Sequence, residues 1–259
     1  MTGIIFCIAM FYGNAEMAYT MIICTIVSSA TAVLLQLNQD HIDNGLYGFN
    51  SALIGCAMIF YFGLNAAVVL AYIIGSIAST LLMHLFLLFD IRAYTFPFIA
   101  ITWLLKLILQ SNGIDGFPLA KSRLPGPTID YNGFDYVGNG LVIPSHAFGQ
   151  VLFQGDFISG LLMIIAIFIN SPIQSLYGII ATHLSVIIIN LYYPNTDDKI
   201  IISTLNGGLY SFNAVLSGIA SSGNGPFYLI KMTITVIIST TFFLHLKLQN
   251  FTTLTFPFN

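Results

Sequence analysis

The sequence predicts an all-α integral membrane protein made of two homologous halves, in which transmembrane helices alternate with shorter half-membrane segments. Three observations predict it. The 259 residues are 57% hydrophobic and only 7% charged, against about 25% charged in an ordinary soluble domain. Uncharged or nearly uncharged stretches at Met17 to Leu37, Leu64 to Phe89 and Phe227 to Leu246 approach or exceed the ~20 residues a helix needs to cross a bilayer. A 13-residue motif beginning "GLYGFN" at Gly45 returns as "GLYSFN" at Gly208, with identity at 8 of 13 positions, where chance pairing gives about one. A transmembrane barrel would instead show alternating segments of ~10 residues, whereas these runs are continuous.

Taken in order, the chain opens with "GIIFCIAMF" from Gly3, which pairs with "GLLMIIAIF" from Gly160, and continues into the first long apolar run. A polar break, "QLNQDHID", precedes the first copy of the repeated motif, as "YYPNTDDK" precedes the second. The Leu64 to Phe89 run carries "MHL" at Met83 to Leu85, answered by "LHL" at Leu244 to Leu246, and "YTFPF" at Tyr94 to Phe98 is answered by "LTFPF" at Leu254 to Phe258. Repeat boundaries follow: a first half over 1–110, a polar connector over 111–145 rich in Gly and Pro, and a second half over 146–259. The segment "HAFGQVLFQGDFI" before Gly160 has no counterpart before Gly3, and "IAITWLLKLILQ" after the first "TFPF" has none after Asn259. Relative to a symmetric duplication, the chain is expected to be trimmed at both ends.

Each repeated motif is too rich in small residues for a plain lipid-facing helix. Gly45, Gly48 and Gly55 remove bulk where helices approach closely or where the backbone leaves the helix. Such a segment suits a half-membrane helix lining a cavity, the setting in which irregular backbone is tolerated at depth. Phe49 and Leu53, and equally Phe212 and Leu216, stand four residues apart and stack on one helical face. In "TFPF", Pro97 and Pro257 remove a backbone donor and break the helix behind them, and Thr95 and Thr255 add a hydroxyl beside the break. In "GQVLFQ", Gln150 puts an amide near an apolar segment, with Val151 and Phe153 beside it; an unpaired amide there is unfavourable.

Together, "GQVLFQ", "AIFINSP" (Ala166 to Pro172), the doubled "GLYGFN" and the doubled "TFPF" resemble the urea transporter family, in order and over nearly the whole chain. The resemblance implies two inverted-repeat halves of membrane-spanning and half-membrane (re-entrant) helices around a central pore, assembled as a homotrimer in the cell membrane. It implies a passive channel for urea, with no cofactor. Gln150, Thr95 and Thr255 match positions that supply a ladder of oxygen atoms. Phe49, Leu53, Val151, Phe153, Phe212 and Leu216 match the walls of two flat slots flanking the constriction.

Other functions fare less well on the residues. A net charge of −3 offers no broad basic surface for nucleic acid, so membrane lipid and a small solute are the expected partners. An enzyme would need a signature such as an HExxH metal helix or a GxSxG turn, and neither is present. Cys7, Cys24 and Cys56 sit in apolar surroundings and read as small hydrophobes. An ammonia channel would couple histidines within the pore, whereas His84 and His245 each end an apolar run. A water channel of the usual kind would carry Asn-Pro-Ala repeats, which the sequence lacks. A channel for another small neutral solute, ammonia or water, is the alternative, as is a truncated membrane protein that does not conduct. An ion-coupled carrier would need ionisable groups in mid-membrane; Lys106 and Lys231 are unmatched between the halves and read as snorkelling side chains.

Overall fold

The computed structural model describes residues 2–116, 140–194 and 199–248, and among these there is no strand. The helices follow in the order α1 (Thr2–Gly13), α2 (Ala15–Leu34), α3 (Gln39–Asp43), α4 (Gly48–Phe62), α5 (Ala66–Leu88), α6 (Phe96–Ser111), α7 (Val142–Gln150), α8 (Phe157–Asn170), α9 (Pro172–Tyr192), α10 (Lys199–Asn206), α11 (Phe212–Ala220) and α12 (Pro226–Leu248). Four of them are long and apolar enough to cross a bilayer, over Ala15–Leu34, Ala66–Leu88, Pro172–Tyr192 and Pro226–Leu246. The chain is therefore a multi-pass membrane protein. Three of these spans coincide with the uncharged runs of the sequence. The fourth, α9, is diluted by Ser175, Thr182 and Ser185, all of which it buries.

Local capping explains where several helices begin. Asn14 Oδ1 accepts from the Met17 N–H, Asn65 Oδ1 from the Val68 N–H and Asp156 Oδ1 from the Ser159 N–H, each at 3.0 Å. Each bond satisfies one of the orphan donors at a helix start. Pro172 opens α9 just after its Ser171 cap, where a missing N–H is harmless. Helices α4, α8 and α11 have 15, 14 and 9 residues; at 1.5 Å per residue none is as long as the ~30 Å hydrocarbon layer.

The described residues fall into two compact units, one within Asn14–Arg123 and one joining Met1–Gly13 to Leu124–Phe258. In the first, α4 packs on α2, α5 and α6, and α2 packs on α5. Its contacts use small residues, as association in lipid requires when hydrophobicity cannot drive it. A Cβ placed on Gly55 would lie 2.8 Å from both the Thr20 carbonyl oxygen and Cys24 Sγ, so the α2–α4 crossing is open to glycine alone. Ser28 Oγ donates to the Tyr47 carbonyl at 2.7 Å and pairs with Thr80 Oγ1 at 2.7 Å. Those bonds join α2, α5 and the turn before α4.

In the second unit α9 packs on α11, α12, α8 and α7. A Cβ on Gly218 would lie 2.6 Å from the Tyr177 carbonyl oxygen and 2.7 Å from Ala181 Cβ. Tyr177 and Ala181 stand 157 residues after Thr20 and Cys24, and Gly218 stands 163 after Gly55, so each unit contains the same glycine crossing. Likewise Ser185, 157 residues after Ser28, donates to Ser211 Oγ at 2.7 Å in the turn before α11. Helix α1 packs along α8, its last residue Gly13 lying against Ser159 in the first turn of α8. The two helices accordingly run in opposite directions.

Candidate functional site

In the Asn14–Arg123 unit the site residues are placed by a turn and a broken helix. After α3, Gly45 adopts φ 70°, a left-handed conformation that glycine takes without penalty, and the Gly48 N–H closes the turn on the Gly45 carbonyl at 3.1 Å. Helix α4 starts there. Phe49 lies in its first turn and is 39% exposed, while Leu53, one turn on, is buried. Asn50, between them, is wholly buried and turns toward the "YTFPF" segment. Its amide donates to the Tyr94 carbonyl at 3.2 Å, and its Oδ1 accepts from the Phe98 N–H at 3.1 Å.

That pair of bonds accounts for the asparagine in the first copy of the motif. The start of α6 has unpaired N–H groups; Pro97 in the first turn eliminates one of them, and Asn50 satisfies another. Tyr94 is held at φ 44°, a left-handed conformation costing a bulky residue about 1–3 kcal/mol. Thr95 follows as the buried N-cap residue of α6. Asn50 thus fixes both sides of the break that carries Thr95, a role the spacing of Phe49 and Leu53 does not disclose.

In the other unit, α7 ends at Gln150, which is buried, and Val151 and Phe153 follow in a turn, each half-buried. Phe153 takes φ 59°. The turn is closed by two donors on one acceptor, because the Leu152 and Gln154 N–H groups both reach the Gly149 carbonyl at 2.9 Å. Helix α11 begins at Phe212, with Leu216 one turn on, and both are half-buried. The Phe212 ring meets Phe243 edge to face with centroids 5.3 Å apart. Gly208, at φ 71°, matches Gly45, and a Cβ there would run into the Ala147 backbone. Helices α7 and α11 therefore pack closely, bringing Gln150, Val151, Phe153, Phe212 and Leu216 into one unit. Thr255 and the second "TFPF" lie outside the described residues, as does most of the predicted connector.

The remaining candidates take other places. His84 Nδ1 stands 3.3 Å from the Tyr47 hydroxyl. Lys106 Nζ lies 4.0 Å above the Tyr61 ring, a cation–π contact that lessens the burden of a charge in an apolar helix. Among the described residues no three metal-ligating side chains cluster. Cys24 and Cys56 are buried.

Across residues 1–259 the chain matches the family model for urea transporters. The chain belongs to the urea transporter family. Urea transporter 1 of Rattus norvegicus is similar to it, at 26% identity over 234 residues that cover 86% of this chain and 58% of the relative. The chain thus spans little more than half the length of that relative. The urea transporter family is one of transporters rather than enzymes. The side chains of interest are accordingly those that can meet a solute, and Phe49, Leu53, Thr95, Gln150, Val151, Phe153, Phe212 and Leu216 are all uncharged.

Proposed function

We propose that this chain conducts urea passively, through a narrow uncharged passage in the cell membrane, and that it does so as a homotrimer of two inverted-repeat halves bounded by the polar connector 111–145. The observation that carries the choice of substrate is the family match over the whole chain. The recurrence of one glycine crossing in both units and the opposite directions of α1 and α8 support the inverted repeat, because helices related by an axis in the membrane plane must run oppositely. Exposed apolar side chains such as Leu34, Leu88, Ile169 and Leu191 support contact with membrane lipid.

The mechanism follows from the chemistry of the solute. Urea is flat, neutral and strongly hydrated, and removing its water without replacement is unfavourable by several kcal/mol. Oxygen atoms of Gln150, Thr95 and Thr255 accept from its N–H groups in succession and restore most of that loss. Phe49 with Leu53, and Phe212 with Leu216, Val151 and Phe153, form slots that admit a thin molecule edge-on. Ions are refused because the slots offer no compensating charge and a bare ion's desolvation is far larger. Several weak sites in series allow fast passage.

Urea-driven shrinkage of proteoliposomes tests this. Fast urea flux is expected, falling about tenfold in Thr95→Val, since loss of a hydrogen-bonding hydroxyl removes ~1–2 kcal/mol. A fall is also expected in Phe49→Ala, together with weaker discrimination against methylated ureas. Absence of urea flux from the folded, reconstituted protein would sink the reading; equal flux in wild type and both variants would sink the site assignment.

A further inference from the structure

We propose that Gln154 is a positioning residue, clasped against Gly13 of α1, which holds the left-handed turn that presents Val151 and Phe153 to the solute; the role of those two side chains rests on the function proposed above. Phe153 sits at φ 59°, a conformation unfavourable for a bulky residue unless its surroundings over-determine it. The surroundings are specific. The Gln154 N–H is bonded to the Gly149 carbonyl, and a Cβ at Gly149 would lie 2.6 Å from the Gln154 carbonyl oxygen, so the two ends of the turn touch backbone to backbone.

The side chain of Gln154 is anchored too. It is 2% exposed, and its Oε1 occupies the position where a Cβ on Gly13 would project. Ser159 Oγ lies 2.7 Å from the same point. Gly13 ends α1, far from the turn in sequence, and its bare Cα is the recess that receives the Gln154 amide. Two further contacts tie α7 to the start of α8: Ser145 Oγ donates to the Phe157 carbonyl at 2.6 Å, and Gly160 packs directly on the Ser145 carbonyl. With residue 154 fixed by its backbone on one side and its amide on the other, residue 153 has no freedom to relax out of its strained conformation. Gln150, four residues earlier, is the amide the sequence singles out as facing the solute; Gln154 is assigned the separate task of support.

The test uses the full chain with 4-fluorophenylalanine at position 153, observed by fluorine NMR, in wild type, Gly13→Ala, Gln154→Ala, the double variant and the isosteric Gln154→Met. Gly3→Ala serves as control, since a Cβ there meets nothing within 4 Å. The Gly13→Ala and Gln154→Ala resonances are expected to shift or broaden, with the double variant no worse than either single one because the side chain that the added methyl would strike first is then gone, leaving only the Ser159 hydroxyl to turn aside. Gln154→Met, which fills the recess without an amide, is expected to broaden the resonance while the protein stays folded. The ratio of urea to N-methylurea flux is expected to fall about tenfold in the single variants, short of the ~100-fold that a ~1 Å misplacement can cost. An unchanged resonance in both single variants overturns the proposal, as do strictly additive effects in the double variant. Wild-type protein without urea flux overturns the function instead, and the fluorine resonances still decide the role of Gln154.

Discussion

Two amides, Asn50 and Gln154, hold the backbone on either side of residues that the sequence marks as solute contacts. Asn50 offers a donor and an acceptor to groups 44 and 48 residues away. Asn50→Leu removes both bonds from a buried site and is expected to destabilise the protein by about 1–3 kcal/mol. Asn50→Asp keeps the acceptor for Phe98 and loses the donor to Tyr94. Thermal unfolding in detergent should rank wild type above Asn50→Asp or Asn50→Leu; a melting temperature unchanged in Asn50→Leu contradicts the clamp. The Phe and Leu spacings were legible because a helical face depends only on intervals along the chain. The amides were not, because what they hold is set by partners far away in sequence. Gln150 was noticed for its polarity, whereas Gln154, equally polar, gains its importance only from the bare Cα of Gly13.

At the scale of elements, glycine rather than apolar bulk decides which helices meet. A Cβ on Gly55 would stand 2.8 Å from a backbone oxygen of α2, and one on Gly218 would stand 2.6 Å from a backbone oxygen of α9; a backbone cannot step aside as a side chain can. Gly55→Ala and Gly218→Ala are each expected to destabilise by about 1–3 kcal/mol, the usual penalty of overpacking, while Gly3→Ala leaves stability unchanged. Thermal melts of the three variants check this, and equal melting temperatures would show that the crossings have slack. The three uncharged spans were legible from length and composition alone. Helix α9 was less so, because its buried Ser175, Thr182 and Ser185 lower the apolar signal while serving the packing. In both places the repeated motif forms a short helix after a glycine turn, at φ 70° and 71°, since only glycine enters that region freely.

For the whole molecule, the scarcity of charge is the property with the widest reach. Ten acidic and seven basic residues in 259 leave little with which to couple solute movement to an ion, and Lys106 already faces the Tyr61 ring. Urea flux is expected to be the same with and without a sodium or proton gradient and to carry no current; a measurable current that tracks urea would point to a coupled carrier. The glycine crossing shared by the two units was legible in part, because the short motifs that carry Gly55 and Gly218 recur in order. The membership of α1 in the unit that contains α8 was not, since the likeness of the two segments, 157 residues apart, marks a repeat and not a contact.

That long-range pairing of α1 bears on biogenesis. Gly13 leaves the ribosome well before Gln154 and Ser159, and at ~5–20 residues per second the interval is roughly 7–30 s. Throughout it, α1 lacks the α8 surface on which it packs and must be sheltered at the translocon or by lipid, so the contact between the two helices forms only after α8 has emerged.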